Sequence, residues 1–200
     1  MGRKKQFSRA GVLEAAIPLF WERGFSGASL QDLEQATGVN RSGLYAEFRG
    51  KEDLFVASLE HYLSQRLAGN GLAAQPPGGR NIEHFLLHAS AGDGARRGCF
   101  SVNALRELAV LPEAAAQVIR RFQGDLRGLL IANVAAQMPD AGADATGAIA
   151  DMTLAFFLGL CTERQLQFDD DAVAAKIVHF LQVIGMRGRN GEPGDNSAHS

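Results

Sequence analysis

The stretch Ser29–Phe48, SLQDLEQATGVNRSGLYAEF, decides how the rest of the chain is read. Ser29 suits a helix N-cap, and Asp32 three residues on gives the reciprocal pattern of a capping box. Leu30, Leu33 and Ala36 then recur at helical spacing, so one side of a short helix is apolar. Thr37-Gly38-Val39 interrupts it, and Gly38 can take the positive φ that a tight turn between helices needs. Asn40 is a second N-cap. It opens a second helix whose Leu44 and Phe48 turn back toward Leu33 and Val39, leaving Arg41, Ser42, Gly43, Ala46 and Glu47 exposed. Such a pair of helices, the second beginning with small and polar residues, suits a DNA major groove. The pattern also fits an ordinary helical hairpin inside a larger bundle, so its context matters.

At 200 residues the chain has room for one compact body, or for a small domain fused to a larger one. A composition of 46% hydrophobic and 21% charged residues is ordinary for a soluble globular protein. Cys99 and Cys161 are too few for a disulfide scaffold, which points to a reducing cytoplasm. The N-terminal MGRKKQFSRAG lacks the apolar core of a signal peptide. No apolar run approaches the roughly 20 residues that a membrane helix requires, so no membrane partner is expected. The net charge of −2 argues against a nucleic-acid binder until its distribution is considered. Residues 1–51 carry eight Lys/Arg against five Asp/Glu, and residues 52–200 carry twelve against seventeen. A basic head on an acidic body suits local phosphate binding.

Around the opening stretch, residues 1–7 read as an arm in which Arg3, Lys4 and Lys5 lie close together. Either it reaches along a DNA groove or backbone, or it is a solvated terminus. Residues 8–24 read as a first helix, capped by Ser8 and ended by Gly24, with Val12, Leu13, Ala16, Ile17 and Phe20 as its apolar stripe. Pro18 inside it predicts a kink. Trp21 and Phe25 are expected to pack a small N-terminal core. Lys51 opens a fourth helix that runs to about Leu67, placing an ammonium beside free backbone amides that suit a phosphate.

Residues 8–55 resemble the DNA-binding domain of the tetracycline-repressor (TetR) family. The residues that carry the resemblance are the Arg-Gly-Phe closing the first helix, the Ala-Thr-Gly-Val turn, the Leu-Tyr-x-x-Phe of the third helix and the Lys-Glu-x-Leu-Phe of the fourth. Pro18 and Asn40 depart from the usual pattern, and Asn caps a helix as well as the common Ser. The resemblance implies an all-α, homodimeric DNA-binding regulator, more often a repressor than an activator. It implies that Tyr45, Lys51 and Ser29 hold phosphates and that Arg41, Ser42 and Gly43 face the bases. Arg41 either pairs with guanine or clamps a phosphate.

Beyond the head, residues 69–80, GNGLAAQPPGGR, read as a linker. This divides the chain into a helix-turn-helix domain at 1–55, a connecting helix at 51–67, a helical regulatory and dimerisation domain at 68–186 and a disordered tail at 187–200, with about nine helices in all. Asn81 is expected to cap a fifth helix. His84 and His88 share a face of it at a spacing that can bind metal, but no Cys or carboxylate at matching spacing supports them, and no metal or cofactor is expected. Residues 91–98 read as a loop, and Cys99 begins a sixth helix, CFSVNALRELAVL. Arg96 and Arg97 beside a helix N-terminus should lower the Cys99 pKa, making it either a reactive sensor or a small buried hydrophobe. Cys161 reads as core. A seventh helix is expected from 112 to 137 and an eighth from Ala148 to about Phe168. A ninth follows the Asp169-Asp170-Asp171 run.

The last two helices, at about 148–185, fit a four-helix dimer interface or burial within one monomer. Phe85, Phe100, Phe122, Phe156 and Phe157 are candidates for lining an inducer site, or are simply core. The leading function is a ligand- or redox-responsive regulator released from a palindromic operator by a small-molecule or electrophile inducer. Its rivals are a thiol-dependent enzyme using Cys99 and a ligand-binding protein that no longer reads DNA. No phosphate-binding glycine loop, CxxC or Ser-His-Asp ordering stands out.

Overall fold

The computed structural model describes residues 7–90, 97–166 and 169–186. Among them the regular structure is helical, with no strand. The helices are α1 (Arg9–Gly27), α2 (Leu30–Thr37), α3 (Arg41–Glu47), α4 (Lys51–Gly69), α5 (Gly79–Ser90), α6 (Phe100–Ala104), α7 (Glu113–Gln137), α8 (Ala143–Glu163) and α9 (Asp170–Val183). A 3-10 turn, Leu105–Glu107, follows α6 directly.

α1 begins where a cap predicts it, with the Ser8 hydroxyl accepting from the Gly11 amide at 3.0 Å. Its regular backbone breaks at Gly24, whose φ of 73° and ψ of 179° leave the helix before one further turn to Gly27. Pro18 keeps a helical backbone, so the expected kink lies six residues further on. α1 packs on α2 and on α4, and α4 runs from the head into the body, where it packs on α7. α5 packs on α9, and α7 on α8. One continuous core runs from Val12 to Met186.

Several expected boundaries move for physical reasons. The stretch read as a linker is an ordered corner. Leu72 is buried there, and the Gly78 and Gly79 amides donate to Asn133 and Gln137 of α7 at 2.8 and 3.0 Å. Asn81 does not cap α5, which starts two residues earlier, at Gly79. Its amide donates instead to the carbonyls of Ala74 and Pro76 and to Asn133 Oδ1. The thirteen-residue sixth helix shrinks to the five residues of α6 and the 3-10 turn. Long-range partners win there over helix propensity: Asn103 binds Gln165, and Glu107 reaches the head. α8 begins at Ala143 rather than Ala148, since small residues continue the helix back to a Gly142 carbonyl that accepts from the Thr146 hydroxyl. It ends at Glu163 rather than Phe168, which lies outside the described residues.

α8 is long and apolar enough by composition to cross a membrane, which the sequence reading did not anticipate. Its buried Ala150, Thr153, Phe157, Leu160 and Cys161, with α7 packed along it, make it a core helix of the body. The expected N-terminal arm with Lys4 and Lys5, Arg96 of the 91–98 loop and the 187–200 tail also lie outside the described residues.

Candidate functional site

The head is built from two capped helices. Ser29 and Asp32 form the reciprocal box: the Asp32 amide donates to the Ser29 hydroxyl at 3.1 Å, and the Ser29 amide donates to Asp32 Oδ2 at 3.0 Å. The Ser29 hydroxyl also donates to that carboxylate at 2.6 Å. These bonds, with Arg23 2.6 Å away, hold the Asp32 carboxyl below its ordinary range. Gly38 takes the left-handed φ of 66° and its amide donates to the Glu34 carbonyl, closing α2. Asn40 Oδ1 accepts from the Gly43 amide at 2.9 Å and opens α3. Leu33, Val39, Leu44 and Phe48 are buried together beneath the pair. Ala36, expected on that apolar side, is exposed.

α3 turns Arg41, Ser42, Tyr45 and Ala46 outward, and Tyr45 is 44% exposed. The Arg41 guanidinium lies 5.5 Å from the Tyr45 ring centroid, with Nη2 3.5 Å from the hydroxyl. The Arg41 amide donates to the Glu34 carboxylate, which locks the start of α3 onto α2. Gly43 and Glu47 are half-buried rather than exposed. A Cβ at Gly43 would lie 2.7 Å from Val39 Cγ1, so the turn itself already requires glycine there, whatever approaches from outside. Lys51 Nζ donates to the Phe25 and Ala28 carbonyls at 2.9 and 3.1 Å and covers the Phe25 ring. In this structure its ammonium fastens α4 to the α1–α2 turn.

The head meets the body at a joint that sequence reading missed. Glu107, in the 3-10 turn, accepts from the Phe25 amide at 2.5 Å and from the Ser26 amide at 3.0 Å. Desolvation works to raise the Glu107 pKa, but the Ser26 and Phe25 bonds and the nearby Lys51 charge outweigh it and hold the group below its ordinary range. Trp21 belongs to this joint rather than to a separate head core. Its indole N–H donates to the Arg97 carbonyl at 3.0 Å, and its ring packs on Tyr62 and Phe100. No local pattern announces Glu107, since its partners lie 81 and 82 residues away.

Behind the joint is a small cavity of ≈ 30 Å³ lined by Arg66, Asn70, Phe85, His88, Ala89, Cys99, Phe122, Leu126, Phe157 and Cys161. Of the expected lining residues it brings together Cys99, Phe85, Phe122 and Phe157. Phe100 lies instead under the joint, against Trp21, Phe55 and Tyr62, while Phe156 stacks on Phe180 at 4.0 Å. Cys99 is buried, its sulfur 3.2 Å from the Ser101 hydroxyl and 3.8 Å from the Tyr62 hydroxyl. Its pKa is pulled down, as expected, but not by the arginines. The cause is first the thiol of Cys161, then the Ser101 hydroxyl and the Val102 amide, against the opposing effect of burial. Cys161 is pushed up correspondingly by Cys99 and by burial. The rings of His84 and His88 stack at 6.0 Å, and among the described residues no group of three metal-ligating side chains gathers anywhere.

A glycine-turned pair of capped helices with a polar outer face, carried on a helical body, defines a helix-turn-helix head. Residues 12–58, the head, match the family model described as bacterial regulatory proteins, tetR family. The chain is 47% identical over 64 residues to the HTH-type transcriptional repressor ComR of Escherichia coli (strain K12), covering 32% of this chain and 30% of ComR. It is 34% identical over 121 residues to the uncharacterized HTH-type transcriptional regulator YezE of Bacillus subtilis (strain 168), covering 58% of this chain and 62% of YezE. These matches therefore span less than two thirds of either relative. Among solved structures it is similar to a cysteine mutant of the TetR family transcriptional regulator CifR complexed with 26 bp double-strand operator DNA. The TM-score is 0.77 and the identity 27%, over 90% of this chain and 98% of that one.

Proposed function

We propose that this protein is a homodimeric, cytoplasmic transcriptional repressor whose head binds a pseudo-palindromic operator and whose body controls that binding. The observation that carries the reading is the outer face of α3, where Arg41, Ser42 and Tyr45 stand clear of a helix locked by Asn40 and Glu34. Arg41 and Ser42 face the bases, Gly43 lets the backbone come close, and Tyr45, Ser29 and Lys51 hold phosphates on either side. Lys4 and Lys5 add charge from the N-terminal arm. The two recognition helices of a dimer enter successive major grooves about 34–36 Å apart. In the body, Phe85, Phe122 and Phe157 offer an apolar surface to an aromatic or apolar inducer, and Cys99 offers a thiol to an electrophile. Either ligand acts by favouring a head separation that no longer fits the groove spacing, which is a population shift. Cys99 in this reading reports a chemical change and turns over no substrate.

Fluorescence anisotropy on the intergenic DNA beside the protein's own gene tests the proposal. Tight, salt-sensitive binding of the wild type is expected. Arg41→Ala should weaken it by about 1–3 kcal/mol with relaxed base preference if Arg41 pairs with guanine. A uniform loss across sequences with a shallower salt slope makes Arg41 a phosphate clamp. Wild-type affinity at the non-specific level, about 1 µM or weaker, overturns the reading.

A further inference from the structure

Cys99 and Cys161 are 62 residues apart in sequence and were not expected to meet, yet both are free and buried and both line the same small cavity. The backbone is arranged to bring them together. Gly98 has a φ of 73°, and a Cβ there would lie 2.5 Å from the Cys161 carbonyl oxygen, so only a glycine lets this strand of chain lie directly on α8. Two further bonds hold the seam, Gln165 Nε2 to Asn103 Oδ1 at 2.7 Å and Arg106 Nη2 to Gln165 Oε1 at 2.8 Å. Both cysteines line the body cavity. Asn70, 5% exposed, lines it too, and its Nδ2 has no partner, so a buried donor awaits a small polar molecule that enters. The Cys99 sulfur is further held by the Tyr62 hydroxyl, which itself accepts from Arg66 Nε at 3.0 Å.

We propose that Cys99 and Cys161 are a dithiol pair that a peroxide closes into a disulfide, and that closure disturbs the joint between body and head. The Cys99 sulfur attacks one peroxide oxygen and the O–O bond breaks. The leaving oxygen takes the thiol proton and departs as water or an alcohol, leaving Cys99 as a sulfenic acid. The Cys161 sulfur then attacks the Cys99 sulfur, the S–O bond breaks, and hydroxide leaves as water with the Cys161 proton. The two thiols are oxidised by two electrons and the peroxide is reduced by two. The new S–S bond of about 2.05 Å draws the start of α6 toward α8. Phe100 follows Cys99 directly and packs on Trp21, Phe55 and Tyr62, and Glu107 at the end of the same segment grips the Phe25 and Ser26 amides. A shift at the sulfurs therefore reaches α1. Only the DNA consequence rests on the proposed operator binding; the bond and the movement of the joint do not.

The test uses the full wild-type chain, treated with stoichiometric hydrogen peroxide and then alkylated. Peptide mass spectrometry should find Cys99 and Cys161 joined, lighter by two hydrogen atoms and restored by dithiothreitol. Trp21 is the sole tryptophan of the chain, so its emission reads the joint without DNA. It should shift on oxidation of the wild type and stay unchanged in Cys161→Ser. Operator affinity of the wild type should fall about tenfold or more, within the usual size of such couplings, while Cys161→Ser stays bound. Absence of the cross-link overturns the proposal, and so does a cross-link with no change at Trp21. Reduced protein that binds no operator refutes the DNA reading alone, because the cross-link and the Trp21 shift are measured without it.

Discussion

Glu107 shows how one carboxylate can tie two parts of a chain together. Its oxygens accept from two amides in the last turn of α1, just past the break at Gly24, and Lys51 stands near enough to favour the charge. Glu107→Gln should keep the shape and lose the charge, costing about 1 kcal/mol at neutral pH after allowance for partial exposure. Because the folded-state pKa lies below the unfolded one, this stability is present above the unfolded value of about 4.3 and disappears as pH falls through the folded one. Urea unfolding of wild type and variant should therefore differ at pH 7 and converge in acid; a gap of equal size at both would refute the charge argument. Single residues were legible in the sequence only where their work is local. Ser29, Asp32, Gly38 and Asn40 act within a turn or two of themselves, and the structure gives each the expected place. Glu107, Cys161 and Asn70 act across the fold, and neither periodicity nor a cap residue marks them.

At the scale of elements, the long helices were readable because their apolar stripes recur over many turns, as in α7. The segments that failed are those whose form is set by a distant partner. The Gly- and Pro-rich stretch before α5 has the composition of a linker but is fastened by Asn133, a wholly buried residue of α7. Asn133 Oδ1 accepts from the Gly78 amide at 2.8 Å and from Asn81 Nδ2 at 3.0 Å, and its Nδ2 donates to the Leu72 and Leu129 carbonyls at 2.8 Å each. Every hydrogen-bonding position of that amide is filled, so removing it orphans several groups at once. Asn133→Ala should cost about 2–4 kcal/mol, well beyond Asn81→Ala, which leaves the Asn133 bonds to Gly78, Leu72 and Leu129 in place. Chemical denaturation of the two variants checks the ranking, and equal losses would return this stretch to the role of a passive linker. α6 failed for the same reason: its helical pattern runs on to Leu111, but the bonds of Asn103 and Glu107 fix it as a short helix and a turn.

For the whole molecule, the question is what covers the outer side of α8 and α9. Phe156 and Phe180 stack in parallel there at 4.0 Å, beside a shallow apolar hollow that Ala175, His179 and Val183 complete. Val183 is 71% exposed and Met152 49% exposed, on helices whose other sides are packed on the body. A two-fold contact would lay this surface against itself and give a four-helix interface, closing the assembly at two copies. A stable interface of that kind buries on the order of 1,200–2,000 Å² in total, which two helices from each copy can supply. Val183→Asp tests this with little risk to folding, since the side chain touches water in the single chain. The new charges would meet near the two-fold axis, where like charges are unfavourable. Light scattering after size exclusion should find the variant as a monomer with unchanged helical circular dichroism. Operator binding should fall with it, because a single head can grip only one half-site and the second contact is no longer intramolecular. If Val183→Asp remains a dimer and binds as the wild type does, the partner surface lies elsewhere on the body. The spacing of the recognition helices would then be set by a different contact from the one α8 and α9 offer.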